Sequence, residues 1–348
     1  MTRTLILGGT AWLGREIADQ LVARGGDVSC LARGESGAVP SGVTFICSDR
    51  RVPGAYDLVA GDVWDEIVEL SYEADLVAGA LEALASSTQH WTLVSSVSVY
   101  ASNAEPGADE RAVLVDPSDG EDYAHAKVAP ERATAEAVGD RLLIVRPGLI
   151  VGPGDMSDRF GYWLSRLALA SASSVLVPDT HGRCVQFIDV RDLAGWLIRA
   201  GNQRLTGIYN AVGTERELCT VLLAAAQVAG HTGEFISADD DWLTAHNVNY
   251  WAGPRSLPLW IPRSDSAFAQ RSRSRFLAAG GTERDLTQTL KDVLADERTR
   301  GLDRERRSGL TRDEENSLLA KISQQSSHAT AGSEKRQGSQ TTSRGVGN

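Results

Sequence analysis

A tyrosine and a lysine lie four residues apart in the segment EDYAHAKVAPE, which spans residues 121–131. Residues at positions i and i+4 share one face of a helix, so Tyr123 and Lys127 are expected to lie side by side. A neighbouring ammonium favours the phenolate form of a tyrosine, because opposite charges attract. The spacing therefore predicts a proton-transfer pair, with one turn of an ordinary surface helix as the alternative.

Pro130 falls within the same predicted helix. An interior proline loses one backbone hydrogen bond and clashes with the preceding turn, at a cost of about 3 kcal/mol unless the helix bends. One hypothesis is that a kink tilts Tyr123 or Lys127 away from the reacting centre. The proton would then come from water or from an acidic group of the substrate, and a Tyr123→Phe variant would keep its turnover.

A serine-rich segment, HWTLVSSVSVYA, precedes this pair and reads as a strand. Its hydroxyl groups are those of Ser95, Ser96 and Ser98. In a doubly wound sheet, ligands bind beyond the carboxyl ends of the strands, so these hydroxyls are predicted to face a cofactor crevice. The alternative is that serines merely alternate with valines, as they do in many strands.

The glycine-rich segment GGTAWLG follows the apolar strand RTLIL and precedes an amphipathic helix. Glycines allow the backbone to approach a pyrophosphate, and the helix N-terminus offers free N–H groups. The spacing departs from GxGxxG, because Ala11 stands where a middle glycine is expected. In this context the segment predicts a nucleotide-binding turn made of Gly8, Gly9, Thr10, Ala11, Trp12, Leu13 and Gly14.

The second predicted strand ends in CLARGES, where Arg33 occupies the position that normally contacts the adenosine ribose. A guanidinium suits a 2′-phosphate, and no carboxylate precedes it, so the sequence predicts NADP(H), with NAD(H) left open as a second cofactor. Arg15 could assist, although both arginines could instead be solvated surface residues. After the third strand, Asp49 and Arg50 are candidate adenine contacts, with a turn role for Asp49 as the alternative.

Strands and helices alternate along the first half of the chain, which predicts an α/β fold with a doubly wound parallel sheet of the Rossmann type and a smaller C-terminal substrate-binding lobe. Residues 1–150 are predicted to form the NADP-binding core. Residues 151–322 are predicted to form the substrate-binding lobe, interleaved with late Rossmann elements. The polar composition of residues 323–348 predicts a disordered tail.

Composition narrows the functional classes. The net charge of −11 over 348 residues disfavours a general nucleic-acid binder. The four cysteines are scattered without a metal-binding spacing, so neither a metal site nor a disulfide framework is expected, and a reducing cytoplasm fits best. No segment is apolar enough for a membrane span. The 4 Lys against 31 Arg suggest a high-GC bacterial source.

Four motifs occur in the order expected of an extended or atypical short-chain dehydrogenase/reductase: GGTAWLG, SSVSVY, YAHAK with Glu131 four residues on, and VRPGLIVGPGD. The chain resembles the NAD(P)-dependent epimerase/dehydratase branch of that family over roughly residues 1–230. It departs from the family pattern in Ala11, in Pro130 and in ELSYE, where Tyr72 replaces an Asn-Ala-Gly-like turn.

The resemblance implies a role for each matching residue. Tyr123 would be the acid/base, and Lys127 would bind the nicotinamide ribose and lower the tyrosine pKa. Ser96 would polarise the reacting carbonyl, with Ser98 as its substitute. The adjacent residues Pro147 and Gly148 would pack against the nicotinamide.

Aromatic residues are frequent after residue 150, and aromatic walls suit flat, polycyclic ligands. The alternative is that most of these rings are core residues. The predicted substrate contacts are Tyr72, Tyr100, Arg159, Trp163, Tyr250 and Trp251.

The sequence thus predicts NADPH-dependent reduction of a ketone to a secondary alcohol on a secondary metabolite, with an aromatic polyketide as a candidate, as in actinobacterial natural-product ketoreductases. One alternative is a nucleotide-sugar epimerase or dehydratase, and another is a non-catalytic NADP-binding sensor. The expected partner is a small molecule, and either a monomer or a homodimer fits.

Overall fold

A computed structural model of the protein describes residues 2–117 and 123–338, without the side chains of 326–338. The described chain divides into two compact units. The first unit contains Met1–Asp155, Gly182–Ala224 and Ile261–Asp296, and the second contains Met156–His181, Ala225–Trp260 and Glu297–Asn348. Each unit is therefore built from separated segments of the chain, and two later segments belong to the first unit.

The strands, in chain order, are β1 (Arg3–Leu7), β2 (Asp27–Ala32), β3 (Thr44–Cys47), β4 (Glu66–Glu69), β5 (Trp91–Val94), β6 (Leu142–Pro147), β7 (Leu149–Val151), β8 (Val175–Pro178), β9 (Cys184–Val185), β10 (Phe187–Asp189), β11 (Gly207–Ala211), β12 (Arg216–Glu217), β13 (Phe235–Ala238), β14 (Asn249–Trp251) and β15 (Ser256–Pro258). The α-helices are α1 (Trp12–Ala23), α2 (Ala74–Leu84), α3 (Tyr123–Val138), α4 (Arg159–Ala170), α5 (Val190–Asn202), α6 (Leu218–Ala229), α7 (Asp240–Ala245), α8 (Ser274–Ala278), α9 (Leu286–Arg300) and α10 (Arg312–Gly338).

Within the described residues, seven parallel strands form the central sheet of the first unit, in the order β11-β6-β5-β4-β1-β2-β3. The chain runs outward from β1 through β2 to β3, and then from β4 in the opposite direction. The strand order therefore reverses between β1 and β4, which is where ligands bind in open α/β sheets. The predicted Rossmann-type fold is confirmed.

Side-chain alternation along the strands separates two hydrophobic layers. In β1, Ile6 belongs to one core cluster, whereas Leu5 and Leu7 belong to the other. Successive side chains of a strand point to opposite faces, so both faces of the sheet are covered. On the first face, α1 packs against α5 and buries Gly14, Ile17, Ala18 and Leu21.

Smaller strand pairs form the second unit, in which β8 pairs with β13 and β14 pairs with β15, both in parallel. Helix α4 packs against β8 and β15. The indole of Trp163 anchors this packing, because its Nε1 donates to the carbonyl oxygen of Pro258 at 2.8 Å.

The C-terminal segment differs in part from the predicted disordered tail. Helix α10 runs from Arg312 to Gly338, so the assigned helix continues well past residue 323. Leu318 is fully buried and gives the first part of this helix an anchor. Residues 339–348 of the predicted tail lie outside the described residues. Among the described residues, no helix has the length and apolar character needed to cross a membrane.

Candidate active site

The glycine turn between β1 and α1 has room for backbone only. A Cβ built on Gly9 would lie 2.3 Å from Cys30 Sγ, and one built on Gly14 would lie 2.7 Å from the Cα of Gly9. Gly8 has φ +91°, a conformation that L side chains rarely adopt. The N-cap residue of α1 is Ala11, which has no side chain that can accept a hydrogen bond, so the first turn of the helix presents its N–H groups without a side-chain cap. That geometry suits a phosphate.

A cavity of about 340 Å³ lies beside this turn in the first unit. The turn contributes Gly8, Thr10 and Ala11 to its lining, while Arg33 and Asp49 line it from the ends of β2 and β3. Beside the turn, the Trp12 Nε1 donates to the carbonyl oxygen of Pro153 at 2.8 Å, and this bond fixes the position of the indole. The cavity and the glycine turn together fit a dinucleotide.

The predicted adenosine-end residues differ in their availability. Arg33 is exposed, and its partner is the equally exposed Glu35, at 3.0 Å. Asp49 accepts the backbone N–H of Arg51 at 3.0 Å, which is a turn role. Arg50 also lines the cavity, but its guanidinium is directed to Glu69, with Nη1 donating to Oε1 at 2.9 Å. Arg33 is thus the arginine best placed for a ligand.

The other residues predicted for the cofactor are Arg15, Leu13, Pro147 and Gly148. Arg15 lies against Gly37, where a Cβ would be 2.7 Å from its Nη1. Leu13 packs against the hydrophobic core, so its role is structural. Pro147 ends β6 opposite Ala211, and Gly148 follows it with its N–H 3.4 Å from the carbonyl oxygen of Ala211.

Tyr123 and Lys127 lie together in α3. The Lys127 Nζ is 5.8 Å from the centroid of the Tyr123 ring, and it donates to the carbonyl oxygen of Val94 at 2.9 Å. Val94 ends β5, so this bond ties α3 to the carboxyl edge of the sheet. The assigned helix continues through Pro130 to Val138, and Pro130 does not separate the pair.

Tyr72 joins the cavity to this pair. Its ring lines the cavity, and it meets the Tyr123 ring edge-on with 5.4 Å between centroids. The Lys127 Nζ is also 5.5 Å from the centroid of the Tyr72 ring. The departure from the family turn at ELSYE therefore places a second phenol beside the lysine.

Burial lowers the pKa of Lys127 to about 8, although the carboxylates of Glu69 and Glu131 oppose that shift. Only 5% of the lysine is exposed, and the carbonyl oxygen of Val94 offers it a dipole and not a full charge. The ammonium is therefore poorly solvated. Its protonation can change within the range in which enzymes work.

The serines form a tight turn directly after β5. Ser96 caps the 3₁₀ turn Val97–Val99, where its Oγ accepts the backbone N–H of Ser98 at 3.1 Å and donates to Ser98 Oγ at 3.1 Å. Helix α3 packs against this turn. Ser95 is buried, and its Oγ has no hydrogen-bond partner among the described residues. The structure thus brings the serine turn to the Tyr123–Lys127 helix.

Sequence reasoning missed a network of buried charges behind these residues. Arg146 Nε donates to Glu131 Oε1 at 2.9 Å, and its Nη1 donates to the hydroxyl of Tyr100 at 3.1 Å. That hydroxyl donates to Asn210 Oδ1 at 2.6 Å. Glu69, with no exposed surface, forms the corresponding pair with Arg50. The charged residues in the strand patterns WDEIVEL and RLLIVRPG were the available signal.

Five of the predicted substrate residues have varied surroundings. Tyr100 is 3% exposed and belongs to the buried network, and Trp163 is 2% exposed and packs in the second unit. In that unit the Arg159 guanidinium carbon lies 5.1 Å from the Trp251 ring centroid, and the Tyr250 ring lies 3.8 Å from that of Trp260. The substrate roles of these residues stay predictions.

Comparisons with solved structures show the fold. The Bordetella bronchiseptica enzyme WbmH in complex with NAD⁺ is 18% identical, with a TM-score of 0.64 over 86% of this chain and 99% of that one. UDP-glucose 4-epimerase of Thermus thermophilus in complex with NAD is 20% identical, with a TM-score of 0.63 over 85% and 99%. RMD from Pseudomonas aeruginosa complexed with NADPH is 18% identical, with a TM-score of 0.61 over 86% and 100%.

Comparison with curated protein sequences finds no significant match. The sequence model of the NAD dependent epimerase/dehydratase family matches residues 4–211, which is more than half of the chain. This span contains the glycine turn, the cavity, the serine turn and the Tyr123–Lys127 pair. The protein therefore belongs to the NAD dependent epimerase/dehydratase family, as an enzyme of the short-chain dehydrogenase/reductase type that uses NAD(P)(H).

Proposed function

We propose that the protein moves a hydride at a secondary hydroxyl carbon of a nucleoside-diphosphate sugar, in an epimerase or dehydratase reaction. The arrangement of Tyr123, Lys127 and the serine turn at the carboxyl edge of the sheet carries the proposal. NAD(P)(H), when bound, supplies the hydride acceptor and donor. Nucleotide-sugar epimerases among the structures of similar fold support this substrate class.

In the proposed reaction, Tyr123 removes the proton of the substrate hydroxyl as its carbon is oxidised, and returns it when the carbonyl is reduced. Lys127 stabilises the phenolate through its ammonium charge. Ser96 donates a hydrogen bond to the reacting oxygen. The backbone N–H of Ser98 holds the Ser96 Oγ in place, and the single proton of that hydroxyl, donated here to Ser98 Oγ, would turn to the reacting oxygen when the substrate binds.

A buried arginine of the first unit supports an anionic substrate. Arg271 is 2% exposed, and its Nε and Nη1 have no hydrogen-bond partner among the described residues. Its Nη2 donates to the carbonyl oxygen of Ser102 at 2.8 Å and to Asn103 Oδ1 at 2.6 Å, in the loop that follows the serine turn. A substrate phosphate would complete the hydrogen bonding of this guanidinium.

The test is incubation of the enzyme with catalytic NADP⁺ or NAD⁺ and a panel of nucleoside-diphosphate hexoses, followed by ¹H NMR of the sugar protons. We expect a new sugar isomer or a dehydrated product without net consumption of the cofactor. A Tyr123→Phe variant should lose this activity. Tyr209→Phe is the matched control, because Tyr209 packs its ring against Trp196 in the core. No conversion of any sugar would contradict the proposal.

Reduction of a ketone by NADPH is the second candidate, because Arg33 suits a 2′-phosphate and NADPH is typically consumed as a reductant. Stoichiometric NADPH oxidation in the presence of a ketone would select this function over the first. In either case we expect Arg33→Ser to weaken NADP⁺ binding at least tenfold and to leave NAD⁺ binding within twofold. Equal losses for the two cofactors would remove Arg33 from the discrimination.

A further inference from the structure

The second unit contains a cavity of about 400 Å³ that none of the predicted cofactor or catalytic residues line. One wall is a face of α4, formed by Tyr162, Ser165, Arg166 and Leu169. These positions follow the i, i+3, i+4, i+7 spacing of a single helix face. The segment between α9 and α10 and the first turn of α10 complete the lining.

Several ion pairs with partly buried arginines lie in the same unit. Asp158 accepts hydrogen bonds from Arg304, and Glu297 accepts from Arg304 and Arg306, with Arg306 Nη2 at 2.8 Å. Arg300 adds ion pairs of 3.5 Å to both carboxylates. A further pair joins Arg166 to Glu315.

The ion pairs in this part of the chain join Arg166, Arg300, Arg304 and Arg306 to Asp158, Glu297 and Glu315. A partly buried charge is poorly screened by salt, so a ligand in the cavity would sense the guanidinium groups that line it.

Arg166 presents a guanidinium group to the cavity. It is 8% exposed and lines the cavity, yet it uses only Nε, which donates to Glu315. Its two Nη atoms have no hydrogen-bond partner among the described residues. A guanidinium presents its Nη groups in a planar fork that matches the two oxygens of a carboxylate.

The other residues that line the cavity determine which kind of ligand would fit. Tyr162, Leu169, Leu302 and Leu310 supply apolar surface. Glu314 lines the cavity as the partner of Arg255, at 3.2 Å, so that pair adds no net charge. Asp303, Glu305 and Arg312 lie at the exposed rim, where solvent screens them. The Arg166 guanidinium beside an apolar wall suits a monoanion with an apolar body better than a phosphate dianion.

We propose that this cavity binds a small organic carboxylate, with the Nη groups of Arg166 on the carboxylate and the apolar wall around the body of the ligand. Arg166 would bind the carboxylate through two parallel hydrogen bonds. The site is a binding site additional to the proposed hydride-transfer reaction, and it requires no covalent step.

Isothermal titration calorimetry with 2-naphthoate tests the site, using full-length protein saturated with NADP⁺ so that the cofactor cavity is blocked. We expect saturable binding of one 2-naphthoate per chain. The uncharged 2-naphthylmethanol and inorganic phosphate should each bind at least tenfold more weakly. Equal binding of the alcohol would overturn the role of the carboxylate, and the absence of naphthoate binding would overturn the site.

Three variants test separately the role of the charges and the role of the open cavity volume. Arg166→Met should weaken naphthoate binding at least tenfold, since a lost hydrogen bond to a charged group has about that effect. Glu315→Gln should tighten binding, because it removes a buried negative charge from Arg166 and releases the Arg166 Nε. Leu169→Trp fills the cavity, keeps every charge and should abolish binding, which covers the case in which Arg166→Met does not fold. Arg312→Met at the rim is the control, with an expected change within twofold.

Unchanged naphthoate affinity in both Arg166→Met and Leu169→Trp would place the ligand elsewhere and overturn the proposal. Weaker binding in Glu315→Gln would contradict the role of the Arg166 charge.

Discussion

Both units of the protein bury cations, but they use different residues for them. In the first unit, Lys127 is 5% exposed and donates a hydrogen bond to the carbonyl oxygen of Val94. In the second, Arg166 is 8% exposed and pairs with Glu315. Burial lowers the pKa of the lysine to about 8, whereas a guanidinium stays charged in proteins.

The type of buried cation indicates which chemistry each unit can perform. An ammonium that titrates near neutral pH can stabilise a phenolate and respond to proton movement, which suits a hydride-transfer site. A permanent charge in a planar fork suits recognition of a carboxylate. Lysine is scarce in this chain, with 4 Lys against 31 Arg, so its presence at position 127 stands out.

The largest expected effect comes from making the first unit resemble the second. Lys127→Arg replaces a titratable cation by a permanent, larger one in a buried position. We expect kcat to fall at least 100-fold, in the range typical of a lost acid–base group, as measured by product formation at pH 7. Lys291→Arg, at an exposed position of α9, is the matched control and should keep full activity. A Lys127→Arg enzyme with more than half of the wild-type kcat would contradict the expectation that the first unit requires a titratable cation at this position.

The next effect concerns the buried ion pair behind the site. Arg146→Met leaves the Glu131 carboxylate buried without its partner, and should reduce the free energy of unfolding by about 3–5 kcal/mol. Arg132→Met breaks an exposed 3.9 Å pair with Asp116 and should cost less than about 1 kcal/mol. Urea denaturation of both variants measures the difference. Equal losses would show that burial does not determine the strength of these pairs.

A smaller effect is expected from Glu69→Gln. The Glu69 carboxylate raises the pKa of Lys127 against the effect of burial, so its removal should lower that pKa below about 8. If the ammonium form is the active one, activity falls as pH rises through this pKa, and the descending limb should begin at a lower pH in the variant. The pH profile of kcat provides the measurement, with the exposed Asp75→Asn as control. A limb displaced to higher pH would contradict the assigned sign.

Much of the first unit could be predicted from sequence, since its signals are local. RTLIL before GGTAWLG gives a strand, a glycine turn and a helix from adjacent residues, and β1 and α1 follow that pattern. The strand order was not readable, because pairing joins segments that lie far apart in the chain. The extension of α10 to Gly338 also escaped prediction from a polar composition.

Residues of the site could be predicted from the sequence only where a single local motif contained them. The i, i+4 spacing of Tyr123 and Lys127 placed them together on α3, while Glu69, Arg146 and Arg271 meet their partners through tertiary structure. The same limit applies to Arg166 and Glu315, which are 149 residues apart. No spacing rule links such pairs, so a buried charge in a strand or helix pattern is the available sign.

The most direct test of the account is a titration of Lys127 itself. With only four lysines in the chain, ¹³C-lysine labelling should give few Cε–Hε signals, and the Lys127→Arg variant assigns the relevant one by its absence. We predict that the Lys127 signal titrates with a pKa of about 8, below the usual value for lysine of about 10.4. A Lys127 pKa at or above that usual value would contradict the claim that the first unit holds a proton-responsive cation.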